Sequence, residues 1–238
     1  MSRVCPLGVI PLKWINKLER KYRRYAISNL MTYIIALNAA VYVINLLIPQ
    51  SNLYAKLALN PAMILRGEIW RLITFLFLPP SSSPIFIVFV LYFYYLVGSN
   101  LEYQWGSFRF NIYYLIGVLS TIAASFISYA ITGFGLVSPE HLNLSLFLAF
   151  AHLFPYFEVL LFFFIPIKVK YLAWFNWAFI VFALIFRPLP MKLAAIASVV
   201  NYFIFFGSDL ITTIKLRIQT YKKRKRFREA FKNDRRRH

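Results

Sequence analysis

Apolar residues occur along this chain in long, nearly uninterrupted runs, and the breaks between runs are rich in proline, glycine and basic residues. A helix needs about 20 consecutive apolar residues to cross the hydrocarbon core of a bilayer. Inside that core every backbone N–H and C=O must be paired within the protein, which makes helices the default. The pattern therefore predicts an all-α, polytopic transmembrane bundle of six helices. The predicted spans are residues 30–48, 84–97, 111–132, 142–154, 171–186 and 189–214.

The fourth predicted span is shorter than most of the others. It stops at Pro155, and a second apolar run over residues 159–165 stops at Pro166. Proline lacks the backbone N–H that a helix interior needs, so neither run continues through it as regular helix. Two arrangements fit this pattern: a helix that crosses the membrane fully, or a short helix followed by a segment that returns along the membrane.

The connection between the first two spans, residues 50–83, is long for a helical bundle and unusually apolar. Within it, residues 55–65 and 69–78 have a nearly amphipathic pattern. Such segments are more stable in the membrane interface than in water, and we expect both to lie there. Two consecutive prolines, Pro79 and Pro80, end the segment before the second span.

The composition excludes a soluble fold. Of the 238 residues, 60% are hydrophobic and 15% are charged, which leaves too few polar side chains to cover a water-facing surface. The net charge of +19 does not indicate nucleic-acid binding, because the basic residues crowd the two ends of the chain instead of one globular face. We therefore expect the lipid bilayer as the main partner, and no nucleic acid.

The basic residues also predict the orientation of the chain. With six spans, 22 of the 27 Lys and Arg residues fall on the side that holds both termini, and five fall on the other. Connections with an excess of Lys and Arg stay in the cytoplasm, so both termini are expected there. The chain then divides into a basic N-terminal segment (1–29), a transmembrane domain (30–214) and a basic tail (215–238). We expect both basic segments to attract anionic lipid.

Three short motifs follow one another in the first half of the transmembrane domain. They are Glu68-Ile69-Trp70-Arg71 in the long connection, Gly98-Ser99-Asn100-Leu101-Glu102 with Trp105-Gly106 after the second span, and Arg109-Phe110 before the third. In this order and at this spacing they resemble the rhomboid superfamily of membrane proteins. The resemblance covers most of residues 30–214, and it implies a six-helix rhomboid-like bundle.

The resemblance implies structural roles for the first two motifs. In rhomboids a Trp-Arg pair braces the first loop, and the chemistry of Trp70 and Arg71 suits that role, because the indole anchors at the interface and the guanidinium can bind carbonyls or lipid phosphate. Glu68 is a candidate partner for Arg71. In the motif that begins at Gly98, an unpaired charge on Glu102 would be costly at that depth, so we expect Glu102 to hold a neighbouring loop through hydrogen bonds.

The residues that carry catalysis in rhomboid proteases are not matched here. Such proteases resemble one another in a Gly-x-Ser-x-Gly type motif on the fourth span, which supplies the nucleophile, and in a histidine base on the sixth. This chain has Asn143 and Ser145 without a nearby glycine, and Asn201 stands where the histidine is expected. An amide cannot take a proton from a serine at neutral pH. On the second span, Phe86 and Val90 stand where the proteases carry side chains that stabilise an oxyanion.

Two histidines are the alternatives for a substitute base. His141 precedes Ser145 by four residues, so the two side chains share a helix face and are close enough to touch; both are weak catalytic candidates, because His141 lies near water and nothing supplies an oxyanion site. His152 is seven residues from Ser145, about 10.5 Å along a helix, and is expected to bond to a backbone carbonyl or to water. We therefore expect no catalytic residues, no metal and no cofactor.

Several polar residues lie inside the predicted spans and are expected to face the interior of the bundle. For Asn201, one hypothesis is a structural hydrogen bond between helices, and the other is a position where a client helix or a chain of water molecules enters. The polar residues are Asn38, Asn45, Asn143, Ser145, Asn176, Asn201 and Asp209. Of these, Asp209 is expected near the cytoplasmic end of the sixth span, with a cation of the tail or headgroup water as its partner.

The pattern favours a catalytically inactive rhomboid-like pseudoprotease. The Derlin branch of the superfamily is the nearest functional analogue, because it resembles this chain in keeping a Trp-Arg loop while lacking the catalytic dyad. That resemblance implies binding of other transmembrane proteins as clients. Two alternatives stay open: an active serine endopeptidase of the rhomboid family with a degenerate site, and a small-solute transporter, which would need an internal repeat or buried charges along a path.

Overall fold

The computed structural model describes residues 13–48, 50, 52–80, 83–135, 139–161 and 165–234. Within these ranges the description leaves out the side chains of residues 13, 14, 141, 161, 165, 208–214, 217, 218, 222 and 225–234, among them His141 and Asp209. Most of the described chain is helical. The elements are α1 (Lys13–Tyr22), α2 (Leu30–Leu47), α3 (Leu53–Leu57), α4 (Pro61–Ile64), α5 (Arg71–Thr74), α6 (Pro84–Trp105), α7 (Ser107–Thr132), α8 (Glu140–Leu153), β1 (Glu158–Leu161), β2 (Ile165–Lys168), α9 (Val169–Phe186) and α10 (Leu189–Asp234).

Five of the described helices are long and apolar enough to cross a bilayer: α2, α6, α7, α9 and the Leu189–Gly207 part of α10. Their outward surfaces carry large exposed apolar side chains, among them Leu47, Ile85 and Trp174. A water-soluble domain does not present such an extensive apolar surface. The chain is therefore a multi-pass integral membrane protein.

The fourth predicted span, α8, is a short helix. Its 14 residues extend about 21 Å, less than the roughly 30 Å thickness of the hydrocarbon core. It is packed among α6, α7, α9 and α10. The described chain thus has five helices of spanning length and a shorter central one, where the sequence predicts six spans.

A β-hairpin follows α8, so the expectation of an all-α fold is wrong at this point. Glu158 pairs with Lys168 in the antiparallel register, and the Lys168 Nζ atom lies 3.8 Å from Glu158 Oε1. Pro166 rules out a helix here but is tolerated, because both strands of a two-stranded sheet are edge strands. The β-branched residues Val159 and Ile167 favour the extended backbone. The segment after α8 therefore forms paired strands.

Two helices extend beyond their predicted ends. The second span is predicted to stop at residue 97, yet α6 continues to Trp105 and stops at Gly106, whose φ of 81° is a conformation that favours glycine. The sixth is predicted to stop at residue 214, yet α10 continues to Asp234 and is about 69 Å long. Its basic segment contains good helix formers and neither proline nor glycine, so nothing ends the helix earlier.

The N-terminal segment contains the amphipathic helix α1, which packs against the start of α7. Arg109 holds it there: its Nε atom donates to Glu19 Oε2 at 3.0 Å, and a terminal guanidinium nitrogen donates to Asn16 Oδ1 at 3.1 Å. Ile15 is buried beneath the helix. Part of the predicted basic segment is therefore an ordered element of the bundle.

The core of the bundle lies where α7 and α10 pack together, beside α8. Aromatic side chains fill it, and the rings of Tyr113 and Phe205 meet edge to face with centroids 4.8 Å apart. Such aromatic contacts contribute packing energy in a membrane, where lipid is as apolar as the side chains themselves. This packing sets the positions of the polar residues described next.

Candidate functional site

Three polar side chains from three helices meet in the core, and we call them the polar cluster: Tyr113 on α7, Ser145 on α8 and Asn201 on α10. The Asn201 Nδ2 atom donates to Ser145 Oγ at 2.9 Å. The Tyr113 hydroxyl lies 2.7 Å from Ser145 Oγ and 2.9 Å from the Ser145 carbonyl oxygen. All three residues are completely buried. The cluster joins α7, α8 and α10 where the core is tightest.

One assignment of the protons satisfies all of these contacts. Asn201 donates an N–H to Ser145 Oγ, Ser145 donates its hydroxyl proton to the oxygen of Tyr113, and Tyr113 donates to the Ser145 carbonyl. Each hydroxyl then donates once. The Ser145 proton therefore points at a neutral phenol oxygen, which is a very weak base. Among the described side chains, Tyr113 and Asn201 are the hydrogen-bond partners of Ser145 Oγ.

Close helix approach at Gly117 positions the Asn201 amide. A Cβ atom built on Gly117 would lie 2.9 Å from Asn201 Nδ2 and would overlap Leu142 Cδ1. Glycine is therefore needed for α7 to approach α8 and α10 this closely. The carbonyl oxygen of Asn201, Oδ1, is buried and has no hydrogen-bond partner in the described structure.

The other candidates for catalysis lie elsewhere. The side chain of His141 is outside the described part of the chain. His152 Nδ1 lies 3.0 Å from the Tyr202 hydroxyl. Asn143 is hydrogen-bonded to Tyr94 of α6. Apart from Asn201, then, no described residue named as a catalytic or polar candidate is bonded to Ser145.

In the connection between α2 and α6, Arg71 forms a buried clamp. Its Nε atom donates to Glu68 Oε2 at 2.6 Å, the expected Glu–Arg pair. A terminal nitrogen donates to the carbonyls of Ala55 at 2.6 Å and Ala58 at 3.0 Å. Only 6% of Arg71 is exposed. The guanidinium therefore binds protein carbonyls, and it holds α3 against α5.

The aromatic residues of this connection have different environments. Trp70 is half exposed, as an interfacial anchor would be. The Tyr54 hydroxyl is buried without a described hydrogen-bond partner, and burial, with a smaller contribution from nearby Tyr42, raises the pKa of Tyr54 above its usual value. Tyr54 is therefore a neutral phenol at physiological pH.

Glu102 joins three segments at the opposite end of the bundle. Its Oε1 atom accepts from the backbone N–H of Asn29, just before α2, and from Ser107 Oγ at the start of α7, both at 2.7 Å. Gly98, one turn earlier, lets the side chain of Met31 pack directly on the α6 backbone. Both residues of this motif thus hold α2, α6 and α7 together.

A cavity of about 500 Å³ separates α6 from α9, and α8 forms its floor. Phe86 and Val90, which the sequence resemblance aligns with the oxyanion positions of rhomboid proteases, are part of its wall. Asn176 on α9 also faces it, and both amide atoms of this buried side chain have no hydrogen-bond partner in the described structure. We call this space the α6/α9 cavity.

Comparison with known proteins does not identify a family for this chain. No protein-family model matches this sequence, and no curated protein matches it. The chemistry of the site must therefore be argued from its own residues.

The polar cluster lacks what nucleophilic catalysis requires. A serine is activated by a base within hydrogen-bonding reach, and the base is usually oriented by a third group. Here the neighbours of Ser145 are an amide that donates and a phenol. No group of three or more His, Cys, Asp or Glu residues that could hold a metal ion occurs within the described ranges. What the cluster can do is fix the register of three helices.

Sequence reasoning identifies two of the three members of the polar cluster. Ser145 and Asn201 stand out by position, whereas Tyr113 does not. A tyrosine on the third span is a weak signal in a chain with 16 of them. Only the packing of α7 against α8 identifies which one contacts the serine.

Proposed function

We propose that this chain is a rhomboid-like membrane protein without peptidase activity, which binds transmembrane segments of other proteins. The observation that carries the first part is the contact between Ser145 and Asn201. At the two positions where a rhomboid protease would hold its nucleophile and base, this chain holds a serine and an amide. That pair stabilises helix packing and cannot transfer a proton.

The buried connection between α2 and α6 supports the same proposal. Arg71 binds Glu68 and two backbone carbonyls there, which is the bracing role that a rhomboid-like loop would need. Glu102 braces the other end of α6, where its carboxylate accepts hydrogen bonds from Asn29 and Ser107. The residues that would maintain a rhomboid-like scaffold thus have structural partners, while the base that hydrolysis would need is replaced by Asn201.

Binding of client helices is supported by the region around α8. This helix is shorter than the hydrocarbon core, and a β-hairpin continues from it with Tyr156 and Leu160 exposed. Lipid beside such a region must thin or rearrange to cover it. A client helix that carries a polar residue would lose less free energy there than in an undisturbed bilayer.

We further propose that α8, although short, crosses a locally thinned bilayer as a sixth span, which places both termini in the cytoplasm. The basic residues of α1 and of the second half of α10 would then lie on the side where anionic lipid is concentrated. Each Lys or Arg close to such a surface contributes about 1 kcal/mol of attraction. This attraction would hold the long α10 extension near the membrane.

Site-specific photocrosslinking in native membranes tests client binding. A benzophenone amino acid replaces Trp174, which is 78% exposed on α9 near the hairpin, or Leu46, which is 61% exposed on α2. We expect the Trp174 position to capture single-span membrane proteins at least several-fold more efficiently than the Leu46 position. Adducts with lipid alone, or the same proteins in equal yield at both positions, would refute client binding.

A competition experiment sharpens this test. Two synthetic single-span peptides are added to the membranes, one all-leucine and one with a single central asparagine. The asparagine peptide should compete with the captured proteins more strongly, because the disturbed bilayer near α9 lowers the cost of its polar group. Equal competition by both peptides would show that polarity plays no part in binding.

A further inference from the structure

The two helices that border the α6/α9 cavity present matching apolar stripes to it. On α6 the stripe has the spacing i, i+3, i+4, i+7, which places its members on one helix face. On α9 the spacing is the same, but one member is an amide. The stripes are Phe86, Phe89, Val90 and Phe93 on α6, and Leu172, Phe175, Asn176 and Phe179 on α9.

The Asn176 amide is the exception in this apolar lining. The residue is 5% exposed, and neither its N–H donors nor its carbonyl acceptor has a partner in the described structure. Leaving a buried amide unpaired destabilises a protein, because the group loses its hydrogen bonds to water and gains none in return. A ligand that both donates and accepts a hydrogen bond would remove this cost.

The charge of the cavity wall and the depth of Asn176 within α9 both argue against an ionised ligand group at this residue. Glu140 is the charged residue of the cavity wall. No basic residue is among the described residues of this wall, so an anionic group would find no counter-charge there. Asn176 lies seven residues, or about 10 Å, inside α9. An ionised headgroup would lose its hydration at that depth at high cost.

The size and opening of the cavity fit a lipid chain. A volume of about 500 Å³ lies within the range of small-molecule sites, roughly 300–1,000 Å³. A spanning helix with side chains occupies on the order of 2,000–3,000 Å³ and would not fit. Phe86 and Phe175 are exposed at the rims of the cavity, on the outer surface of the bundle, so a ligand can enter from the bilayer.

We infer that the α6/α9 cavity binds a neutral lipid alcohol from the bilayer, whose hydroxyl pairs with the Asn176 amide and whose hydrocarbon chain lies between the α6 and α9 stripes. A hydroxyl group donates to Asn176 Oδ1 or accepts from Nδ2 and needs no counter-ion. This inference stands apart from client binding, because it concerns a space too small for a client helix.

Three photoactivatable probes test the inference on the purified full chain in a neutral detergent. They share one diazirine-bearing alkyl chain and end in a hydroxyl, a methyl ether or a carboxylate. We expect saturable labelling of α6 or α9 peptides by the alcohol. The ether, which cannot donate, should bind about three- to tenfold more weakly, and the carboxylate more weakly still.

Two variants and a control assign the contact. Asn176→Leu should lower alcohol labelling by about tenfold and abolish the difference between alcohol and ether; its thermal stability should equal or exceed that of the parent chain, because an unpaired amide is removed. Leu144→Trp, which fills the cavity, should reduce labelling by both probes. Asn45→Leu on α2 should change neither.

Several outcomes would overturn the inference. They are equal labelling by alcohol and ether in the parent chain, preferential labelling by the carboxylate, and undiminished alcohol labelling of folded Asn176→Leu. Capture of single-span proteins at Trp174 tests the client proposal separately, and its failure would leave the result of the lipid probes unchanged.

Discussion

Replacing Arg71 with alanine is expected to lower the free energy of unfolding by about 3 kcal/mol or more. The substitution leaves the carbonyls of Ala55 and Ala58 without their donor and Glu68 without its cation. Because Arg71 is buried, water replaces these bonds poorly. Denaturant titration of the purified protein in mixed micelles would measure the loss.

Arg66 provides the matched control for Arg71. It lies in the same connection and is exposed, so Arg66→Ala should change the unfolding free energy by no more than about 0.5 kcal/mol. Arg71→Lys should have an intermediate effect, because an ammonium keeps the charge but loses the planar fork of donors. Equal effects of Arg66→Ala and Arg71→Ala would show that the clamp contributes nothing.

Adding one methyl group at Gly117 should also destabilise the protein, by about 1–3 kcal/mol. The new Cβ would lie 2.9 Å from Asn201 Nδ2 and overlap Leu142 Cδ1. Relief of this overlap requires the buried side chains of Leu142 and Asn201 to shift or α7 to move away from α8 and α10, and either change weakens the polar cluster. Gly117→Ala should therefore lower the midpoint of thermal unfolding in detergent.

Gly207→Ala on α10 is the control, and its effect should have the opposite sign. Apart from the backbone of its own helix, no atom of the described residues lies within 4 Å of a Cβ built at Gly207, so alanine meets no described obstacle there. Alanine is favoured over glycine within a helix by roughly 0.8–1 kcal/mol, and the variant should be as stable as the parent chain or more so. Destabilisation by Gly207→Ala equal to that by Gly117→Ala would refute the role of close packing.

The spanning helices could be predicted because the bilayer permits few structures. The starts of α2 and α6 lie where the apolar pattern places them, at Leu30 and Pro84. Helix ends were less predictable, because the end of α6 depends on Gly106 and not on where apolar residues stop. Hydrophobicity likewise did not distinguish a strand from a helix after Pro155, although β-branched residues around Pro166 favoured strands.

The polar cluster could also be predicted only in part from the sequence. Ser145 and Asn201 stand out by their positions in the sequence, and the helices bring them within 2.9 Å. Tyr113 and the unpaired amide of Asn176 depend on how the helices rotate about their axes, which sequence alone does not specify. The contact between His152 and Tyr202 likewise depends on how α8 and α10 pack, and the sequence did not indicate it.

The proposed lack of peptidase activity requires that Ser145 be part of a structural hydrogen-bond cluster and not a nucleophile. Incubation of the purified protein with a transmembrane reporter distinguishes these two roles, with an active rhomboid protease assayed in parallel as a positive control. We expect only background cleavage by the parent chain and by Ser145→Ala alike. Cleavage by the parent chain that Ser145→Ala abolishes would show that the serine is a nucleophile and would refute the proposal.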